Sequence, residues 1–397
     1  GKVADMRRAL AIIVLATMAA VPPLATGSPL EKALDHLSAR QDSLTGAIGP
    51  AGPGQAADTA WAAMAVAGTG EDPSAWHGAG LGLSDAVAAL PGDAVGDVLR
   101  LSVAQRAAGL LDPAMADRVA AQRSADGSFP GGTAVTAWGV MALIAAAVPP
   151  DDPRVTGAVS ILRSLQLPDG GWSATGAPQS DVVTTATVMQ ALRAARVGVG
   201  DPVLVAARAR LLSLRDSGGT FARAAVPTAW AVLAIRALGE RPDRGVWASG
   251  GSPLVALEGL QRADGGVRAA SGQPTSLFAT SLAALAWSGR TLPTIPRGRR
   301  VPGRAPRIVA RTPADRDVVR GVLSIRYSDE TGGTGIDPAR TTITVNGVDM
   351  TRRARITPYT LQIRASALPK GTLALQARVR DRAGHSITAD WSVIGAG

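Results

Sequence analysis

Two kinds of helical segment alternate along the chain as far as about residue 290. One kind is apolar or small at nearly every position, as in 135–143, and this pattern predicts a helix that is buried on all sides. The other kind, as in 254–260, combines charged residues with an apolar stripe, which is typical of a helix with one side in water. The pattern therefore predicts two layers of helices, with the fully apolar helices on the inside.

Turns rich in glutamine, aspartate and glycine join the amphipathic segments to the apolar ones, most of which contain Thr-Ala. Asp-Pro or Ser-Pro steps open several amphipathic segments, and proline is favoured in the first turn of a helix. The second pair lacks the glutamine-glycine turn, and we predict its inner helix at 95–109. Six hairpins with a period of roughly 40–50 residues, typical of helical repeats, allow the chain to close into a ring. We place them at 29–70, 73–111, 112–149, 151–199, 201–240 and 252–290.

The turn from Gln166 to Trp172 resembles the glutamine–tryptophan (QW) motif of squalene–hopene and oxidosqualene cyclases. The Thr-Ala-Trp helices resemble the repeats of the prenyltransferase and squalene-cyclase family, and the likeness covers residues 29–290. This resemblance implies an α6/α6 toroid, a mainly α fold. It also implies that the turn glutamines bond backbone at helix ends and that the aromatic residues pack against helices. We therefore interpret these turn side chains as structural: Gln122, Phe129, Gln166, Trp172 and Gln261.

The pattern changes after the last helical pair. Residues 291–305 are rich in proline, glycine and arginine and predict a solvated linker. Short segments with a period of two follow, and Asn346-Gly347 is a strong signal for a hairpin turn. The segment 379–385, followed by Trp391, resembles the end of bacterial immunoglobulin-like domains. This resemblance implies a small all-β immunoglobulin-like sandwich at 306–397.

Three aspartates of this C-terminal region are candidates for a calcium site. We interpret them instead as carboxylates that cap turns, with the calcium site as the alternative; they are Asp329, Asp337 and Asp381.

The first 28 residues have the layout of a secretory signal peptide. Arg7 and Arg8 precede an apolar run at 9–21, and the small residues Ala25 and Gly27 provide a cleavage position. The apolar run is short for a membrane span, although an uncleaved anchor is the alternative. We therefore expect a secreted or cell-surface protein that contacts the membrane only if this segment is retained.

The net charge of +10 does not indicate a nucleic-acid partner. The positive charge is almost entirely arginine, and it forms no stripe interleaved with aromatic residues. There is no cysteine, which excludes disulfides and thiolate ligands. The three histidines, His36, His77 and His385, lie far apart along the chain and form no metal-binding pattern. We expect neither a metal nor another cofactor.

The resemblance allows a test for catalysis. Class II terpene cyclases protonate an alkene with a carboxylic acid placed three residues before the alanine of the Thr-Ala pair. None of the corresponding positions here is acidic, and aromatic residues, which stabilise carbocations, make up only 3% of the chain. Asp58 and Asp181 remain as candidate catalytic carboxylates, with helix N-caps as the alternative interpretation. The positions tested for the acid are Ala57, Ala134, Val183, Val226 and Phe278.

Trp61, Trp138 and Trp230 occupy the same position of three repeats. They are candidate ligand-binding residues if they face the centre of the ring, and packing residues if they lie between helices. We predict a non-catalytic protein that binds an apolar small molecule, such as a lipid or terpenoid, or a macromolecule of the cell envelope. The alternative is a divergent enzyme: a terpene cyclase or prenyltransferase relative without the usual acid, or a glycan-acting enzyme that uses Asp58 and Asp181.

Overall fold

A helical region comes first along the chain and a β region follows it. The computed structural model describes residues 28–396, except 43, 77–80, 111, 175, 294–304, 330–334 and 382–384. The predicted signal peptide, His77 and most of the predicted linker lie outside these residues. No helix in the described part of the chain is both long and apolar enough to cross a membrane.

The helical region alternates partly exposed helices with helices that are buried on nearly all sides. In the described residues the odd-numbered helices are the partly exposed ones and the even-numbered helices are the more buried ones, as the sequence predicts, although α4 also carries charged residues. The helices are α1 (Pro29–Ser38), α2 (Gln55–Gly68), α3 (Leu83–Ala88), α4 (Val95–Ala107), α5 (Met115–Ala120), α6 (Thr133–Ala145), α7 (Pro153–Ser164), α8 (Val182–Ala194), α9 (Pro202–Ser213), α10 (Ala225–Ala237), α11 (Pro253–Glu258) and α12 (Leu277–Ser288).

The even-numbered helices contact one another in a closed cycle. Each packs against the next even-numbered helix, and α12 packs against α2. We call this cycle the inner ring. A hydrogen bond also joins the ends of the helical region, because Gln261 Nε2 donates to the carbonyl oxygen of Pro29 at 2.8 Å.

The outer helices begin with the capping chemistry that the sequence predicts. Ser28, Asp152, Asp201 and Ser252 each accept a backbone N–H in the first turn of α1, α7, α9 and α11, and proline follows each of them. In the inner ring, by contrast, side chains cap only α8 and α12 among the described helices. The N-cap residues of the other four inner helices are Gly54, Ala94, Gly132 and Ala224.

The threonine of the repeated Thr-Ala pair holds the preceding turn against the inner helix. In five repeats its Oγ1 atom accepts the backbone N–H of an apolar turn residue at 2.9 to 3.2 Å. A buried N–H without such a partner would cost about 1–3 kcal/mol. The repeated threonine is therefore structural. The acceptors are Thr59, Thr136, Thr185, Thr228 and Thr280.

Gln166 and Gln261 bond backbone at helix ends, as predicted, and these bonds also join neighbouring repeats. Gln166 Nε2 donates to the carbonyl oxygen of Val203 at the start of the next outer helix, at 2.8 Å. Gln122 also bonds backbone at a helix end, because its Nε2 atom donates to the carbonyl oxygen of Arg118 in its own helix, but this bond does not reach the next repeat. That turn contains one more residue before its glycine, so Arg123 takes the position of the glutamine and donates to Gly127.

Two sheets form the β region within the described residues. One has the strand order β1-β3-β7-β6 and the other β2-β9-β8-β4-β5, and alternate side chains of the strands fill a common core. Asn346 adopts a positive φ of 50° in the turn between β4 and β5, as the sequence predicts. The strands are β1 (Arg307–Thr312), β2 (Val318–Val319), β3 (Val322–Ser328), β4 (Thr342–Val345), β5 (Val348–Asp349), β6 (Arg355–Ile356), β7 (Thr360–Arg364), β8 (Gly371–Arg380) and β9 (Ser386–Gly395).

The start of the predicted linker is packed rather than solvated. Leu292 is only 2% exposed, and its backbone N–H donates to Oε1 of the buried Gln190 at 3.2 Å. Because Gln190 belongs to the inner helix α8, this segment lies against the inner ring before the chain enters the β region. The prediction of a solvated segment from composition is therefore wrong for Leu292.

Candidate functional site

A cavity of about 390 Å³ lies within the inner ring. Its lining residues all belong to the first two turns of the inner helices, so the cavity is at the end of the ring where these helices begin. Ligand sites typically have volumes of about 300–1,000 Å³ and mostly apolar walls. Most of the wall here is apolar and consists of Trp61, Trp138, Trp230, Phe278, Val183 and Val226.

The three tryptophans of the repeat meet at the centre of the ring. Their ring centroids lie 5.6 Å apart for Trp61 and Trp138, 5.9 Å for Trp61 and Trp230, and 6.1 Å for Trp138 and Trp230. All three pairs have the edge-to-face arrangement that aromatic rings prefer. The same rings line the cavity. Facing the cavity and packing between helices are thus not exclusive alternatives, because the cluster does both.

The positions tested for a catalytic acid contribute apolar side chains to the wall. Val183, Val226 and Phe278 line the cavity. No carboxylate is found among the described residues that line it. The cavity wall itself therefore provides no group for protonating an alkene.

Asp58 lies one helical turn before Trp61 on the inner helix α2. Burial raises the pKa of its carboxyl group above the ordinary value. Gly54 occupies the N-cap position of this helix and the Asp58 side chain caps no backbone N–H, so the interpretation of Asp58 as an N-cap is wrong. The helix begins before Asp58 because Gln55 already has helical geometry, which places the carboxylate inside the first turn.

Asp181 is the N-cap of α8, as one of its two interpretations predicts. Its Oδ1 atom accepts the backbone N–H of Thr184 at 2.8 Å, and its Oδ2 atom accepts that of Ala174 at 3.3 Å. Both carboxylate oxygens are therefore used for local structure. Neither Asp58 nor Asp181 belongs to the described residues that line the cavity.

Arg100 is a cavity residue that the sequence analysis did not identify. Together with Gly96 it lines the cavity from α4, the inner helix of the irregular second repeat. Its Nη1 atom donates to Asp97 Oδ1 at 3.1 Å, a partly buried contact within one helical turn. The available signal was a set of charged residues in this inner helix, where Arg100 stands between Asp97 and Arg106.

The described residues contain no cluster of three or more His, Asp or Glu side chains that could hold a metal ion. His36 is buried, and its Nδ1 atom lies 3.1 Å from the carbonyl oxygen of Asp264. Burial lowers the pKa of this imidazole. His36 therefore joins the first and last repeats as a structural residue.

Comparison with known proteins found similarity in structure but not in sequence. No family model matches this sequence, and no curated protein matches it. The ent-copalyl diphosphate synthase from Streptomyces platensis is similar with 20% identity and a TM-score of 0.45. That match covers 60% of this chain and 50% of the other, so this chain spans about half the length of that enzyme.

Two further solved structures are similar over different shares of the chain. The type II terpene cyclase MstE from Scytonema has 16% identity and a TM-score of 0.43, covering 66% of this chain and 96% of that one. CopC from Methylosinus trichosporium OB3b has 22% identity and a TM-score of 0.18, and the match covers 22% of this chain and 89% of that one. The chain thus has terpene cyclases among its structural neighbours, and this distant likeness assigns no activity, substrate or site residue.

Proposed function

We propose that the chain is a secreted or cell-surface α/α toroid protein whose inner ring binds an apolar small molecule without transforming it. One observation carries this proposal: Val183, Val226 and Phe278 line the cavity at the positions where the cyclase resemblance would place an acid. Removing such surface from water on binding contributes roughly 25 cal/mol per Å². The tryptophan cluster provides a rigid base against which an apolar ligand packs.

Binding is tested with the neutral probe N-phenylnaphthylamine, whose emission follows energy transfer from the cavity tryptophans. We expect saturable binding to the wild-type protein. Val183→Trp fills the cavity and should abolish binding of the probe. The matched control is Val205→Trp, because Val205 is 52% exposed on the outer helix α9. Equal probe binding by Val183→Trp and the wild type would contradict this location for the ligand.

The natural ligand is identified by native mass spectrometry of protein purified from a secreting host, followed by organic extraction. A bound lipid or terpenoid in stoichiometric amount supports the proposal. Protein that is empty and also fails to bind the neutral probe contradicts it, and then favours a macromolecule of the cell envelope as the partner.

A second candidate function is that of a divergent terpene cyclase, and the environment of Asp58 favours it. The raised pKa of this carboxyl keeps more of it in the acid form, which a proton donor requires. Its position one turn before Trp61 places it near the aromatic rings that could stabilise a carbocation. Incubation with squalene and with prenyl diphosphates tests this candidate. Products that disappear with Asp58→Asn, but not with Asp181→Asn, would establish it.

We further propose that 306–397 is an immunoglobulin-like domain and that residues 1–28 are a cleaved signal peptide. The two-sheet arrangement around a common core supports the first point. N-terminal sequencing of the secreted protein tests the second, with a mature N-terminus at residue 28 or 29 as the expected result. Recovery of the full-length chain from the membrane would indicate the uncleaved anchor instead.

A further inference from the structure

The described lining of the cavity includes a charged residue, Arg100. Of the described residues that line the cavity, Arg100 is the charged one, and the others there are apolar residues or glycine. Its side chain is 29% exposed, so the guanidinium lies between the apolar wall and solvent. A neutral hydrocarbon would offer this cation no group with which to form a hydrogen bond or an ion pair.

The intramolecular partner of Arg100 is a weak one. Asp97 lies one turn away on α4 with a side chain that is 45% exposed, and ion pairs at this spacing on a helix contribute only about 0.2–0.5 kcal/mol. A guanidinium has five N–H donors, and the contact with Asp97 uses Nη1. The remaining donors match the two oxygens of a carboxylate, which arginine binds in a bidentate manner.

The orientation of the inner helices adds positive potential at the same end of the ring. The cavity residues lie near the beginnings of all six inner helices in the described chain, so the positive ends of the helix dipoles point toward this side. Four of these helices have N-cap residues whose side chains accept no backbone N–H. This field strengthens the attraction that Arg100 exerts on an anion at the cavity.

We propose that the ligand is an amphiphile with a single negative charge, a long-chain monocarboxylate of the fatty-acid type. Its hydrocarbon chain occupies the cavity against Trp138 and Val226, and its carboxylate pairs with Arg100. A single guanidinium among the described lining residues provides one bidentate site for one carboxylate, which distinguishes this ligand from a diphosphate. The inference rests on the proposed binding function and specifies the ligand of that same cavity.

The experiment compares dodecanoate with its methyl ester, which has the same chain and no charge. Both compete with N-phenylnaphthylamine on the full chain. We expect the wild-type protein to bind dodecanoate at least about tenfold more tightly than the ester, because a charge-assisted hydrogen bond is lost in the ester. Arg100→Gln should abolish this preference while leaving the affinity for the ester unchanged.

Three variants make the result specific. Arg100→Lys keeps the charge and should retain most of the preference. Asp97→Asn removes the competing carboxylate and should increase the preference for dodecanoate over the ester. Arg106→Gln is the matched control, because Arg106 lies on the same helix at its far end, away from the cavity lining, and should leave the preference unchanged.

Each remaining outcome has a distinct meaning. Equal affinity of the wild type for the acid and the ester overturns the assignment of Arg100 and leaves the apolar binding function standing. Tighter binding of dodecyl diphosphate than of dodecanoate overturns the proposal that the ligand carries a single negative charge. Failure of both the acid and the ester to displace the probe overturns the inference, and failure of the probe itself to bind overturns the proposed function.

Discussion

The Oδ2 atom of Asp35 lies 2.8 Å from the Nε atom of Arg326, so that an ion pair joins the outer helix α1 to strand β3 of the β region. The Asp35 side chain is only 21% exposed. Burial raises the pKa of its carboxyl to about 6, an effect larger than the opposing one of the guanidinium, and the negative charge of Glu31 adds to the increase. The contact between the helical and β regions thus contains a carboxyl that titrates within a mild pH range.

The first prediction concerns the pH dependence of stability. The pKa of Asp35 is about 6 in the folded protein and has its ordinary value of 3.8 in the unfolded chain. The folded protein therefore holds the proton more tightly. The resulting stabilisation is fully present below about pH 4 and is lost as the pH rises to about 6. A shift of about two pKa units corresponds to about 3 kcal/mol. Asp35→Asn should lack this loss, so that its free energy of unfolding relative to wild type increases by about 3 kcal/mol between pH 4 and pH 7.

Urea denaturation at a series of pH values measures this difference. Comparing the two proteins at each pH cancels the contributions of other carboxylates. The control is Asp93→Asn, because Asp93 is exposed in a loop. If the difference between Asp35→Asn and wild type stays constant from pH 4 to pH 7, the burial of a titrating Asp35 at this contact is wrong.

The second prediction concerns Gly139, which interrupts the apolar helix α6. A Cβ atom added here would overlap the ring of the buried Phe129. Overpacking of this kind costs about 1–3 kcal/mol, which exceeds the gain of about 1 kcal/mol in helix propensity. Gly139→Ala should therefore lower the free energy of unfolding. Gly157→Ala, in the outer helix α7, meets only the end of the Arg123 side chain and should raise it by about 0.5–1 kcal/mol.

Chemical denaturation of both variants provides the test. Destabilisation of both by the same amount would indicate that backbone geometry, rather than contact with Phe129, decides the effect. A Gly139→Ala protein as stable as the wild type would show that the Phe129 ring relaxes without cost.

The architecture could be predicted from the sequence where a residue acts locally. Proline after Asp152 or Ser252 signals a helix start on its own, and a segment that is apolar all round predicts burial without knowledge of its neighbours. The lack of a bond from Gln122 to the next repeat could not be predicted, because one extra residue in its turn moves Arg123 into the equivalent position. This shift of one residue becomes clear only when the hydrogen bond to the turn glycine is seen in the structure.

The candidate site was predictable in part for a related reason. Trp61, Trp138 and Trp230 stand out because they recur at one repeat position. Arg100 belongs to the irregular repeat and recurs nowhere, so a search for repetition passes over it. Whether a charge on a helix faces water or a cavity depends on the rotation of that helix in the ring, which the sequence of one irregular repeat does not determine.

The third prediction concerns closure of the ring. Gln261 Nε2 donates both to Pro29 in the first outer helix and to Gly265 in its own turn. Gln261→Ala leaves a partly buried carbonyl without its donor, at a cost of about 1–3 kcal/mol. Gln122→Ala is the matched control, because Gln122 contacts only its own helix, and it should cost less than about 0.5 kcal/mol. Thermal denaturation distinguishes them, and equal melting temperatures of the two variants would contradict a role of Gln261 in closure.

The fourth prediction concerns the tryptophan cluster. Trp61 and Trp230 lie on different inner helices, both are more than nine-tenths buried, and their centroids are 5.9 Å apart in an edge-to-face arrangement. Replacing either by alanine should cost about 3–5 kcal/mol through lost burial and cavity formation. Because the rings also interact directly, the double variant should be less destabilised than the sum by about 0.5–1.5 kcal/mol.

A double-mutant cycle measured by guanidinium denaturation gives this coupling, with Trp61 and Trp247 as the control pair. Trp247 lies against Arg208 of α9, outside the cluster, so its replacement should be additive with that of Trp61. Zero coupling between Trp61 and Trp230 would mean that each ring is held by its own surroundings. Coupling of the expected size would mean that Trp61 and Trp230 hold each other in place, so a ligand in the cavity should reduce the response of both tryptophans to solvent quenchers together.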